Sequence, residues 1–124
     1  MEEDLAAEIV DAAWTVYSVL GPGLLEKVYE LSLYHELTKR DIRVRRQVPV
    51  AVRYDTVTIE AGFRIDLIAE DSVIIEVKAV SELHPVHKAQ LLTYLKCADQ
   101  RLGLLINFGA ATFRGNVRRV VNGL

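Results

Sequence analysis

A chain of 124 residues, 51% hydrophobic and 26% charged, is long enough to bury one core and has the composition of an ordinary globular domain. A single cysteine, Cys97, excludes an intramolecular disulfide framework and points to a reducing cytoplasm. The acidic opening MEEDLAAEIV does not read as a secretory leader, and no window approaches the roughly 18 to 20 uninterrupted apolar residues of a membrane span.

The net charge of -2 argues against a generically basic nucleic-acid binder, yet the charge is unevenly spread. Through Glu36 there are eight acids and one base, Lys27, a net of -7, whereas the remainder carries +5. A protein of this kind can still present a basic surface to a polyanion.

Leu5, Ile9, Ala12, Ala13, Val16, Tyr17 and Leu20 recur at helical spacing, which predicts an amphipathic helix over 3–20. GPG at 21–23 ends it, and a second helix is predicted over 24–40. There Glu26, Tyr29, Leu33 and Leu37 share a stripe while Leu24, Val28 and Leu31 line another side, so burial is expected around much of the circumference. Glu26 heads its stripe, either as a first-turn carboxylate favoured by the helix dipole or as an acid facing a site.

From Ile42 the period becomes two. IRVRRQVPVAVRY reads as a strand, with Pro49 suited to an edge or a bulge. YDTV turns into a second strand ending near Ile68, and EDS turns into a third, Val73 to Val80. Helical spacing returns over 84–98 with Pro85 in the first turn, RLGLLINF is a buried strand, and ATFRGNVRRVVNGL is expected to close with a short one. The order ααβββαββ predicts one domain over residues 1–124, an α/β or α+β fold with a mixed central sheet flanked by helices.

The hairpin around Asp71 carries the chemistry. A turn centred there sets Asp66 across from Glu76, Arg64 across from Lys78 and Ile68 across from Ile74, all on one face. Phe63, Ile65, Leu67, Val73, Ile75 and Val77 take the other face, which is apolar throughout and expected in the core. Two carboxylates opposite each other repel. A divalent cation between them relieves the repulsion, and Mg²⁺ or Mn²⁺ prefers such oxygens. Lys78 on the same side would hold or activate a water. Alternatively, Arg64 and Lys78 simply neutralise the two acids on a solvated face, and the hairpin alone leaves both readings open.

On the third helix His87, Gln90 and Tyr94 form a polar stripe beside Leu91, Leu92 and Leu95, suited to phosphate contact or simply to solvent. His84 and His87 lack partners for a zinc set, and Cys97 reads as a core residue. RVRR at 43–46 puts Arg43 and Arg45 on one strand face, either tracking phosphates or guarding an edge strand. Arg114, Arg118 and Arg119 form a second basic candidate. No recognition helix, finger or aromatic platform for reading base sequence is evident.

Together, Asp66, EVK at 76–78 and QLLTY at 90–94 resemble the PD-(D/E)XK nuclease superfamily. GLLEKVY at 23–29 looks like the signature of its GxxExxY subgroup through Gly23, Glu26 and Tyr29. The motifs follow the family's order, although Ile65 stands where proline would precede Asp66. The resemblance implies a restriction-endonuclease-like core and a Mg²⁺- or Mn²⁺-dependent nuclease, acting on DNA with little sequence specificity. It implies Asp66, Glu76, Lys78 and Glu26 as catalytic residues, with Asp66, Glu76, Glu26 and Val77 holding the metal. Gln90, Tyr94, Tyr29 and His87 would support the site or the substrate, and Arg43, Arg45, Arg46 and Lys88 would contact nucleic acid. The alternative is a nuclease-fold module that binds nucleic acid or a protein partner and turns over little. So modest a basic surface would need a homodimer or a partner subunit to hold a duplex.

Overall fold

The computed structural model describes residues 2–123. Helices α1 (Glu2–Leu20) and α2 (Glu26–Lys39) precede strands β1 (Val44–Tyr54), β2 (Val57–Ala69) and β3 (Val73–Lys78). Helix α3 (Pro85–Ala98) and strands β4 (Leu102–Asn107) and β5 (Val117–Val121) complete the expected order ααβββαββ. The five strands form one sheet in the order β1-β2-β3-β4-β5, antiparallel except for the parallel β3–β4 step that α3 bridges. The fold is thus α+β with a mixed sheet, consistent with a restriction-endonuclease-like core. Among the described residues no helix is long and apolar enough to cross a membrane.

Each sheet face buries its own core. Ile9, Ala12, Ala13 and Val16 of α1 and Tyr29, Leu33 and Leu37 of α2 pack on Leu67, Ala69, Val73, Ile75, Val77 and Ile106. Leu91 and Leu95 of α3 pack on Ile65, Ile68, Ile74, Leu105 and Val120 on the other side. The helix spacing and the largely apolar central strands both follow from this sandwich. Arg40, at the end of α2, fastens the first layer by ion pairs to Glu36, Asp11 and Glu8 at 3.0, 2.8 and 3.1 Å.

Several expectations need correction. Strand β3 ends at Lys78 rather than Val80. Cys97 is exposed on α3, and Leu24, Val28 and Leu31 are exposed, because only the Tyr29–Leu33–Leu37 side of α2 meets the sheet. The apolar face drawn from strict alternation is split: Phe63 and Ile65 join the α3 core, whereas Leu67, Val73, Ile75 and Val77 join the α1–α2 core. Beyond the helices β1 and β2 continue as an arm in which residues 51–62 are exposed save for half-buried Val52. Strand β1 is an edge, as Pro49 suggested, with a register shift between Val50 and Val52.

Candidate active site

Strands β2 and β3 pair at Ala69–Val73, Ile68–Ile74 and Leu67–Ile75, the register expected from the turn, and there the ladder stops. Carboxylates take over from the backbone. The Asp66 N–H donates to Glu76 Oε2 at 3.0 Å, and the Val77 N–H donates to Asp66 Oδ2 at 2.9 Å. Each acid therefore engages one oxygen on the opposite strand. Among the described residues no protein donor reaches Asp66 Oδ1 or Glu76 Oε1.

This geometry is electrostatically costly. Glu76 is only 5% exposed, and burial, with the charge of Asp66 second, pushes its carboxyl up to about 8. Burial likewise pushes Asp66 up to about 6, with Glu30 and Glu26 adding to the rise. The Val77 N–H and the Lys78 ammonium pull Asp66 back, and the Asp66 N–H and Lys78 do the same for Glu76, without cancelling the penalty. Repelling carboxylates with free hard oxygens fit a Mg²⁺- or Mn²⁺-like ion, and Val77 has only its main-chain carbonyl to offer. Among the described residues no three His, Cys, Asp or Glu side chains converge on one point, so water or substrate oxygens would have to fill the remaining positions.

Lys78 is half-buried, and its backbone is held firmly. It lies opposite Asn107 in the parallel ladder, and the Phe108 N–H donates to its carbonyl at 2.8 Å. Buried Asn107 plugs the exit of β3. Its Oδ1 accepts the Val80 and Gly109 N–H groups at 3.0 Å, and its Nδ2 donates to the Val80 carbonyl at 2.9 Å and to Asn116 Oδ1 at 3.0 Å. A Cβ on Gly109 would lie 2.5 Å from Ala79 C and Val80 N, so the backbones meet as only glycine allows.

The helices close over this fork from both sides. Glu26 is the first residue of α2 and exposed. Tyr29 is fully buried, stacks on Phe108 with centroids 4.9 Å apart, donates to the Gly21 carbonyl at 2.6 Å and accepts the Leu24 N–H at 3.0 Å. Its hydroxyl thereby fixes the loop in which Gly21 and Gly23 take φ values of 66° and 112°. From α3, Tyr94 stacks on Phe63 at 4.0 Å, and burial followed by Glu76 and Asp66 raises its hydroxyl pKa. His87 is half-buried; its Nδ1 accepts the His84 N–H at 3.1 Å, and His84 Nδ1 accepts the Val86 N–H at 3.1 Å, a reciprocal cap on α3. Burial, then Lys78 and His84, lowers the His87 pKa. Gln90 and Lys88 are exposed on the same helix.

Glu30 and Gln47 of this region escaped the sequence reading. Glu30 is 5% exposed, pairs with Arg46 Nη2 at 3.0 Å and accepts Gln47 Nε2 on both oxygens at 3.0 Å. The available signal was its position, i+4 from Glu26 and flanked by the buried positions Tyr29 and Leu33. With Glu26, Lys27, Arg46, Gln47 and Asp66 it lines a cleft of about 510 Å³. The arginines of RVRR are all engaged by acids: Arg43 with Glu70 at 3.3 Å, Arg45 with Asp71 at 2.8 Å, and Arg46 with Glu30.

No curated protein sequence matches the chain. Among solved structures, the crystal structure of SSO0001 is similar, with a TM-score of 0.61 at 19% identity over 79% of this chain and 50% of that one. The chain spans about half the length of SSO0001, and the likeness is one of fold. A family model described as the PD-(D/E)XK nuclease superfamily matches residues 3–120. With the match running almost from end to end, across the fork, its lysine and both flanking helices, the chain belongs to the PD-(D/E)XK nuclease superfamily.

Proposed function

We propose that this protein is a metal-dependent nuclease that hydrolyses phosphodiester bonds in DNA with little sequence specificity. The observation that carries the reading is the open fork, where two repelling carboxylates leave Asp66 Oδ1 and Glu76 Oε1 without a protein donor, beside Lys78. Asp66, Glu76 and the Val77 carbonyl would hold Mg²⁺ or Mn²⁺, with Glu26 reaching it through water. The ion supplies Lewis acidity toward the scissile phosphate.

The remaining work falls to side chains. A water attacks phosphorus, a new P–O bond forms, the bond to the leaving oxygen breaks, and the water's proton ends on that oxygen. Lys78 orients this water and its ammonium offsets charge that develops on the phosphoryl oxygens. Tyr94, held flat by Phe63, and His87, fixed by its cap, border the substrate; Gln90 and Lys88 contact its backbone further out. Tyr29 acts at one remove, by setting the start of α2 and thus Glu26. Arg43 and Arg45 already face acids, so a duplex needs cations from a second copy or a partner subunit.

A second reading, a binding module with little turnover, is favoured by the lack of a converged three-acid cluster among the described residues. Calorimetric titration with Mn²⁺ of wild type beside Asp66→Asn, followed by a cleavage screen on duplex, single-stranded and branched DNA, separates the two. Saturable binding lost in the variant, together with cleavage, supports the nuclease. Binding of DNA with no cleavage at saturating Mn²⁺ establishes the module.

A further inference from the structure

Strands β1 and β2 do not alternate continuously. Arg46–Leu67 and Val48–Ile65 are paired, yet the intervening Gln47 and Asp66 are not, and the register is the same on both sides. Faces nevertheless exchange there. Val44, Leu67 and Ala69 pack with the α1–α2 core, whereas Val48, Val50, Phe63 and Ile65 pack with the α3 core. Without a switch, residues four apart on a strand would share a face.

The pivot is Gln47, whose φ of 51° lies in the left-handed region that a glutamine adopts only under constraint. The constraint is visible. Gln47 Nε2 bonds both oxygens of buried Glu30 at 3.0 Å, and Arg46, its immediate neighbour, pairs with the same carboxylate at 3.0 Å. Successive residues of a regular strand point to opposite sides, so their convergence on one carboxylate is the kink itself. Arg46 Nε is buried with no hydrogen-bond partner among the described residues, an expense tolerated at this spot.

What the kink frees is the backbone of Asp66. Opposite an unpaired Gln47, Asp66 turns its N–H to Glu76 Oε2 and its Oδ2 to the Val77 N–H. We propose that Glu30, Gln47 and Arg46 form a positioning relay: Glu30 holds Gln47 in its left-handed conformation, and this keeps Asp66 locked against Glu76 and Val77 in the geometry that binds metal. The metal part rests on the reading of the fork as a nuclease site; the lock itself does not.

The test therefore has a readout that needs no metal. Amide hydrogen exchange by NMR is followed at Asp66 and Val77, with Leu67 and Ile75 as internal controls, alongside Mn²⁺ titration and thermal melts. Gln47→Gly, which permits the same φ but carries no tether, should speed exchange at Asp66 and Val77 about tenfold relative to the controls. It should also weaken Mn²⁺ binding by about 10- to 100-fold, the size expected when a group behind a ligand is removed. The exchange of partners in Glu30→Gln/Gln47→Glu restores an amide–carboxylate pair and should recover both values. Should Gln47→Gly fail to fold, Gln47→Asn, which tolerates the backbone but is too short to reach Glu30, takes its place.

Unchanged exchange at Asp66 and Val77 with wild-type Mn²⁺ affinity would overturn the relay, whatever happens to the melting temperature. If wild type itself binds no Mn²⁺, the metal reading fails. The lock then stands or falls on exchange alone.

Discussion

Two polar clusters sit at opposite sides of the last residues of β3, and they are built on opposite plans. Asn107 is fully buried and each of its side-chain polar atoms is matched, to Val80, Gly109 and Asn116. Asp66 and Glu76 are matched only halfway, repel each other, and hold their protons far above the usual carboxylate range. A satisfied buried amide rigidifies what surrounds it, whereas a half-matched acid pair leaves one oxygen of each carboxylate without a protein donor among the described residues. The first cluster serves stability, the second is the one to which we assign the chemistry, and Lys78 lies between them.

The contrast breaks most decisively through activity. Asp66→Asn or Lys78→Met should lower DNA cleavage by about 10³-fold while leaving the circular dichroism spectrum intact. Retained cleavage in both would reduce the fork to a solvated pair. Next in size, Asn107→Ala should cost about 2–4 kcal/mol in urea unfolding, because it orphans several buried backbone groups at once. Glu76→Gln should move the other way, stabilising the chain by about 1–2 kcal/mol at pH 8, since it removes a buried charge that Lys78 and the Asp66 N–H offset only in part.

The same logic sets the pH dependence. Folding raises both carboxyl pKa values, so between the ordinary carboxylate range and the raised values of about 6 and about 8 the folded chain binds more protons than the unfolded one. Metal-free stability must therefore fall as pH climbs through that window, and Mn²⁺ should flatten the profile at its alkaline end; melts from pH 5 to 8.5 read both. The smallest effect sharpens the role of a neighbour: Tyr29→Phe should cost about 1 kcal/mol by urea denaturation, freeing the Gly21–Leu24 loop without touching the fork.

Much of this was legible beforehand. Order, helix limits and the Asp71 turn follow from periodicity and turn chemistry, which act locally, so the Ile68–Ile74 register could be counted from the turn. The Asp66–Glu76 opposition was visible for the same reason. Its hydrogen-bond detail was not, because it depends on Gln47, nineteen residues upstream on another strand. Strict alternation misassigned Phe63 and Ile65, since no local signal marks a glutamine that will be forced into the left-handed region by a helix carboxylate. Glu30 was missed because a buried acid on a helix looks like any surface acid until its partners arrive from β1. Cys97 and the Leu24–Leu31 side were misjudged by hydrophobicity alone, which cannot tell which flank of a helix has a neighbour.

The β1–β2 arm gives the molecule a natural place to be cut. Residues 53–62 are exposed on a ribbon that no helix covers, with Tyr54, Val57 and Ile59 bare, while a few residues further along β2 Ile65, Leu67, Ile68 and Ala69 are sealed in two cores. Local opening should be frequent at the tip and rare at the fork. A protease nick at the tip would thus yield two fragments still stitched by the β1–β2 ladder and by α2. One fragment would carry Gln47 and Glu30, the other Asp66, Glu76 and Lys78, so that reassembly of two separately expressed halves would rebuild the site from its support and its chemistry.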